Sequence, residues 1–184
     1  MGGYALLSED GEGILRSGFA HIRHNYNLSN RIQSFEFYQI QFDDVLLIEK
    51  RELFGAGLRY NLIKKDSLKI DMELGVMQEN ERLNPATLNP NETLSTKFIR
   101  ITAVNSLKYR LSKTVVINNI LYYQPRVIDF KDYRLLNDFS LAVSLTEYFE
   151  MVTTFTMRYD SQPPSSSKSL DTSVSFGFNL KLSR

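Results

Sequence analysis

Hydrophobic and polar residues alternate along most of this chain with a period of two. The clearest stretch is 67–77, where Ile70, Met72, Leu74 and Val76 stand against Lys69, Asp71, Glu73 and Gly75. Such alternation belongs to an extended strand; a helix would scatter the same side chains around its surface. In 50–62, Phe54, Ala56, Leu58, Tyr60 and Leu62 oppose Arg51, Gly55, Gly57, Arg59 and Asn61. Similar patterns predict strands over 14–27, 31–42, 97–111, 114–123, 133–145 and 149–159. A last strand follows Lys168 and carries Val174, Phe176, Phe178, Leu180 and Leu182. Residues 1–7 read as a short first strand and 8–13 as a turn. The third strand is the least regular, because Glu36 interrupts its apolar face.

The connections predict how the strands are joined. The stretch 108–117 runs into Tyr109, turns within a few polar residues and leaves as a new alternating strand. Related shapes occur at 24–32, 59–68 and, more loosely, 144–149. The connections near 43–49, 78–96, 124–132 and 160–171 read as longer. Short turns at one end and long loops at the other are the habit of outer-membrane barrels. The expectation is therefore an all-β, antiparallel, up-and-down transmembrane barrel of about ten strands (8–12) in one domain. A soluble, lipocalin-like barrel is the alternative.

Composition changes this picture little. The 184 residues suffice for one domain, the formal net charge is +1, and there is no cysteine. A strong field for nucleic acid and any thiolate metal site are thereby excluded. Phenylalanine (12) and tyrosine (10) are abundant, which suits strands. No run approaches the ~18 apolar residues of a spanning helix.

Three segments carry a family resemblance: 18–26 (Gly-Phe-Ala-His-Ile-Arg-His-Asn-Tyr), 51–60 (Arg-Glu-Leu-Phe-Gly-Ala-Gly-Leu-Arg-Tyr), and 159–164 (Tyr-Asp-Ser-Gln-Pro-Pro) with Lys168, Asp171 and Thr172. Together they resemble the bacterial family of salt-induced outer-membrane proteins, a domain of unknown function numbered four hundred and eighty-one. The resemblance implies a β-barrel in the Gram-negative outer membrane and brings no catalytic residues with it. It also implies strands and a signal peptide upstream of the chain as written.

The polar positions define the candidate chemistry. A barrel in lipid turns its apolar face outward, so Arg23, Arg51, Arg59, Asp71, Glu73, Arg100, Lys108, Asp138, Glu150, Arg158 and Lys181 are expected in the lumen as a charge network. Closing the turn by Ile63 with Ser67 would set Arg59 opposite Asp71. Tyr26, Tyr60, Tyr109 and Tyr148 sit beside short turns and are expected to form an aromatic rim. Asn105 and Asn119 interrupt apolar faces. Pairing Arg110 with Thr114 would bring them together, as a hydrogen-bonded pair or a contact with another membrane protein. His21 and His24 are three apart on a strand and point to opposite faces, so they cannot share a metal. Gly55-Ala56-Gly57 lies mid-strand without the spacing of a phosphate loop. No catalytic, cofactor or metal site is expected. The expected partners are outer-membrane lipid and other outer-membrane proteins, and no nucleic acid. The expected role is that of a non-enzymatic barrel with a largely plugged lumen, structural or accessory to an envelope assembly. A narrow channel for small polar solutes or ions is the alternative.

Overall fold

The computed structural model describes residues 2–8, 14–44, 46–87, 93–164 and 167–180. Among these residues ten strands run β1 (Gly2–Ser8), β2 (Ile14–Asn27), β3 (Ile32–Asp43), β4 (Ile48–Lys64), β5 (Leu68–Leu83), β6 (Ser95–Arg110), β7 (Val115–Arg126), β8 (Asp129–Ser144), β9 (Phe149–Asp160) and β10 (Leu170–Leu180). They form one sheet in sequence order, every neighbouring pair antiparallel. The sheet curls into a half-barrel, and among the described residues β1 and β10 each have a single neighbour. The turn expected over 8–13 lies largely outside the described residues, as do Asn89, Pro90, Lys181 and Leu182.

The curl turns the polar face inward. On β5, Glu73, Met77, Glu79 and Glu81 are buried, whereas Met72, Leu74 and Val76 are 50%, 63% and 53% exposed. On β4, Phe54 and Leu58 are exposed on the convex face and Leu53 is buried on the concave one. Water would favour the reverse arrangement, so the exposed apolar belt is informative in a way that isolated surface leucines are not.

Three of the short turns share one hydrogen-bonding scheme. In 28–32 the Ser29 hydroxyl accepts the N–H groups of Arg31 (3.3 Å) and Ile32 (3.1 Å). In 111–115 Ser112 does the same for Thr114 (3.2 Å) and Val115 (3.0 Å). In 145–149 Thr146 serves Tyr148 (3.2 Å) and Phe149 (3.0 Å). Each hydroxyl occupies backbone donors that would otherwise face a tight loop unpaired. The fourth turn differs: Lys65 and Leu68 close it by exchanging backbone bonds around Asp66 and Ser67.

These closures correct the expected registers. Lys64 pairs with Lys69 and Ile63 with Ile70, and an irregularity between Asn61 and Ile63 shifts the rest. Arg59 therefore stands opposite Glu73, two positions from the expected Asp71. Around the 111–115 turn Arg110 pairs with Val116, so Asn105 faces Leu121 and Asn119 faces Leu107. Asn119 instead accepts a hydrogen bond from Asn137 at 2.9 Å. Around the 111–115 turn, and in β4 before the irregularity, the shift is even, so those side chains keep their expected faces; between the irregularity and the turn it is odd, and Lys64 comes to the face of Lys69.

Two of the expected long connections are short: residues 44–47 alone separate β3 from β4. Segment 124–132 folds back between Arg126 and Asp129, and Pro125 is accommodated at a register irregularity in β7. Part of the loop expected over 78–96 is also strand, since β5 continues to Leu83.

Beneath β3, β4 and β5 the inner face is packed by aromatic rings over glycine. Phe35 stands opposite Gly57, which stands opposite Gly75; Phe37 stands opposite Gly55. A Cβ on Gly55 would lie 2.6 Å from the Phe37 ring, and one on Gly57 would lie 2.7 Å from the Phe35 ring and nearer still to the Leu74 carbonyl. Gly177 on β10 has nothing within 4 Å of such a Cβ. Gly57→Ala is accordingly expected to destabilise the fold by about 1–3 kcal/mol in urea unfolding, with Gly177→Ala near neutral. Equal effects would contradict the packing role of Gly57.

Candidate functional site: the charged interior

The concave face holds three groups of charges, each assembled from strands that the curl brings together. The innermost lies toward the ends of β4–β9 away from the short turns. Arg100 on β6 directs Nε to Glu79 Oε1 (3.3 Å) and Nη2 to Asp132 Oδ1 (2.8 Å). Its Nη1 donates to the carbonyls of Gln124 (3.2 Å) and Asp132 (3.3 Å). Arg134 on β8 reaches Glu79, Glu81 (3.2 Å) and Asp160 (2.7 Å). Arg51 donates to Glu81 at 2.6 Å. Arg126 lies 3.8 Å from Asp132 and 4.0 Å over the Phe98 ring.

Four guanidiniums (Arg51, Arg100, Arg126, Arg134) thus meet four carboxylates (Glu79, Glu81, Asp132, Asp160). Glu79, Glu81 and Asp132 are each shared between two arginines. Glu79 and Arg100 are both 1% exposed. Removing such groups from water costs several kcal/mol per ion, and only complete pairing offsets it. At the same end Ile48, its cross-strand partner Leu83, and Pro125 are buried.

The second group is Glu73, which accepts from Arg59 Nε (2.6 Å) and Arg23 Nη2 (3.0 Å). Arg23 also lies 4.2 Å over the Phe35 ring. In the third, Arg158 Nη2 is 2.7 Å from Asp138 Oδ1. That oxygen is shielded from solvent yet accepts no hydrogen bond, so the contact is a charge pairing with poor angular geometry.

Of the expected lumen residues, Arg23, Arg59 and Glu73 come together, as do Asp138 and Arg158, while Arg51 and Arg100 belong to the large cluster. Glu150 accepts hydrogen bonds from Ser144 (3.2 Å) and Asn179 (3.1 Å). Asp71 stands opposite Asn61 and Ser106, and Lys108 opposite Lys69 and Asn118. Lys181 lies outside the described residues. Glu79, Glu81, Arg126, Asp132, Arg134 and Asp160 are members beyond the expected lumen set. The odd-numbered parity running on from Glu73 to Glu79 and Glu81 is the signal that would have found two of them.

On the convex face Tyr26, Tyr60, Tyr109 and Tyr148 are all exposed near the short-turn end. A second group lies toward the other end, where Tyr133 packs against Tyr123 (5.7 Å) and Tyr159 (5.8 Å). Asn105 is exposed opposite Met72 and Leu121. His24 and Glu36, opposite each other on this face, are 3.0 Å apart. His21 turns inward to Gln39 (3.0 Å) and stacks on Phe37.

Catalysis asks for a carboxylate or base whose lone pair is available. Here the buried carboxylates are committed to arginines. Among the described residues no group of three histidine or acidic side chains is placed to hold a metal.

The geometry defines an antiparallel, up-and-down, β-barrel-like fold with its charges inside. The chain belongs to the family described as "Protein of unknown function, DUF481", whose model matches residues 3–181. No curated protein matches it.

A double-mutant cycle tests the corrected register. Arg59→Ala and Glu73→Ala should couple by about 1 kcal/mol or more, as charge pairs in one network do. Arg59→Ala with Asp71→Ala should be additive within about 0.5 kcal/mol. Coupling to Asp71 of the same size would contradict the pairing.

Proposed function

We propose that this chain is a non-enzymatic β-barrel of the bacterial outer membrane, structural or accessory to a larger envelope assembly, with its lumen closed by the arginine–carboxylate cluster. The observation that carries this reading is the inverted sheet: Arg100 and Glu79 are buried while Leu74, Phe54 and Val76 face outward. Lipid accepts that arrangement, and water penalises it. Dimensions agree. From Ile99 to Tyr109 the strand advances ~33 Å, or ~25 Å along the membrane normal at a tilt of ~40°. Tyrosines toward both ends of the outer face match the two interfacial girdles of such barrels.

Hydrocarbon does not tolerate unpaired strand edges. The reading therefore requires β1 and β10 to be paired in the membrane, with each other or with further strands. Glu36, His24, Asn105, Asn119 and Asn137 place polar groups on the outer face, and paired arrangements such as Asn119 with Asn137 lower their cost there. Contact with another outer-membrane protein would serve Asn105 in the same way.

A second reading, a narrow conduit for small polar solutes or ions, is favoured by the inner faces of β9 and β10. Thr154, Thr156, Ser173, Ser175 and Gly177 are small, and those on β10 are exposed. Planar-bilayer recording separates the two. Protein refolded in detergent and reconstituted alone is expected to give no unitary conductance steps. Discrete, reproducible steps would support the conduit and overturn the plugged lumen. Monodisperse, folded protein without detergent would overturn the membrane reading altogether.

A further inference from the structure

Most charges of the interior are paired, and the largest unpaired set is cationic. At the short-turn mouth Lys64 stands directly opposite Lys69, and Lys69 directly opposite Lys108. Three lysines thus occupy one row of positions across β4, β5 and β6. Like charges directly opposed on one face are destabilising. Arg110 lies two residues beyond Lys108 on the same face. None of these four makes an ion pair among the described residues. Lys69, Lys108 and Arg110, with Asp66 and Ser67, line a pocket of about 230 Å³. Lys64 lines a second pocket, of about 450 Å³, with Arg31 and Lys65. Each pocket holds three cations, and the two together hold one carboxylate, Asp66. Asp71 sits one row deeper, opposite Asn61 and Ser106.

We infer that this mouth binds a soluble oxyanion of the phosphate class carrying at least two negative charges. A ligand of that kind neutralises the lysine row, which the protein leaves unpaired. The smaller pocket is below the ~300–1,000 Å³ of drug-sized sites, which suits a compact ion. Lysines act on phosphate as point charges, and Arg110 adds a planar fork. The alternation decides between a soluble ion and a lipid headgroup. Lys69 shares the face of Glu73, and Lys108 and Arg110 share that of Arg100, the concave side. The outward neighbours Ile70, Leu107 and Tyr109 form the apolar belt. The site follows from strand register alone and stands whether or not the barrel lies in a membrane.

The test is calorimetric titration of the folded chain in neutral detergent with inorganic pyrophosphate. Saturable binding is expected, weakening as salt is raised. Lys69→Gln with Lys108→Gln should weaken it at least ~tenfold, the loss expected for even one charge-assisted hydrogen bond. Lys69→Arg with Lys108→Arg should retain it. Lys97→Gln, at the opposite end of β6, should leave it unchanged. No saturable binding by the unaltered chain, or equal affinity in the glutamine variant, would overturn the inference. Titration in nanodiscs tests the source of the anion. Equal pyrophosphate affinity in phosphatidylcholine and phosphatidylglycerol discs supports a soluble ligand. Blockade by phosphatidylglycerol would overturn it in favour of a headgroup.

Discussion

Burying an arginine and a carboxylate together constrains everything around them. Arg100 and Glu79 are almost wholly removed from solvent, and neither could remain there without the other charges of its cluster. The requirement reaches across the sheet. Glu79 on β5 needs Arg134 on β8, and the intervening strands must curl tightly enough to bring them into contact. Curling in turn needs room on the inner face. Gly55, Gly57 and Gly75 provide it beneath Phe35 and Phe37. The apolar residues on alternate positions are left on the convex side, and their exposure follows from where the charges go.

This coupling explains why the sheet is polarised as it is. Fully paired ionic interiors add little net stability compared with a packed apolar core. They do penalise alternatives strongly: a one-residue slip of β5 would turn Glu73, Glu79 and Glu81 outward and strand Arg59, Arg51 and Arg134 inside. The cluster therefore acts on specificity of register more than on depth of the energy minimum. An interior filled in this way leaves its open space at the short-turn mouth, beside Lys69, Lys108 and Arg110.

Faces were legible from the residues alone because a period of two needs only one strand to be read. Glu73, Arg59 and Arg23 fall on one side on that ground, and they meet. Register was harder. It depends on where each turn closes, and the hydroxyl of Ser112, by holding the N–H groups of Thr114 and Val115, sets that closure in a way that alternation does not encode. The irregularity near Leu62 shifted Arg59 onto Glu73 for a similar reason. Glu79 and Glu81 were lost in an expected loop because Gln78, Asn80 and Arg82 make both faces of β5 polar there, which erases the periodic signal. Asp132 was missed because Pro125 reads as a break, although a proline at a register irregularity is tolerated in a strand. The meeting of Arg134 with Glu79 spans 55 residues and depends on curvature, a property of the whole sheet.

The central claim is that the face bearing the buried charges is the inner one and the apolar face meets lipid. Single cysteines along β5, carrying an environment-sensitive fluorophore, report this directly in nanodiscs whose acyl chains bear a quencher. Labels at Met72, Leu74 and Val76 should be quenched strongly, and labels at Glu73 and Met77 weakly. Uniform quenching, or the opposite alternation, would contradict the account.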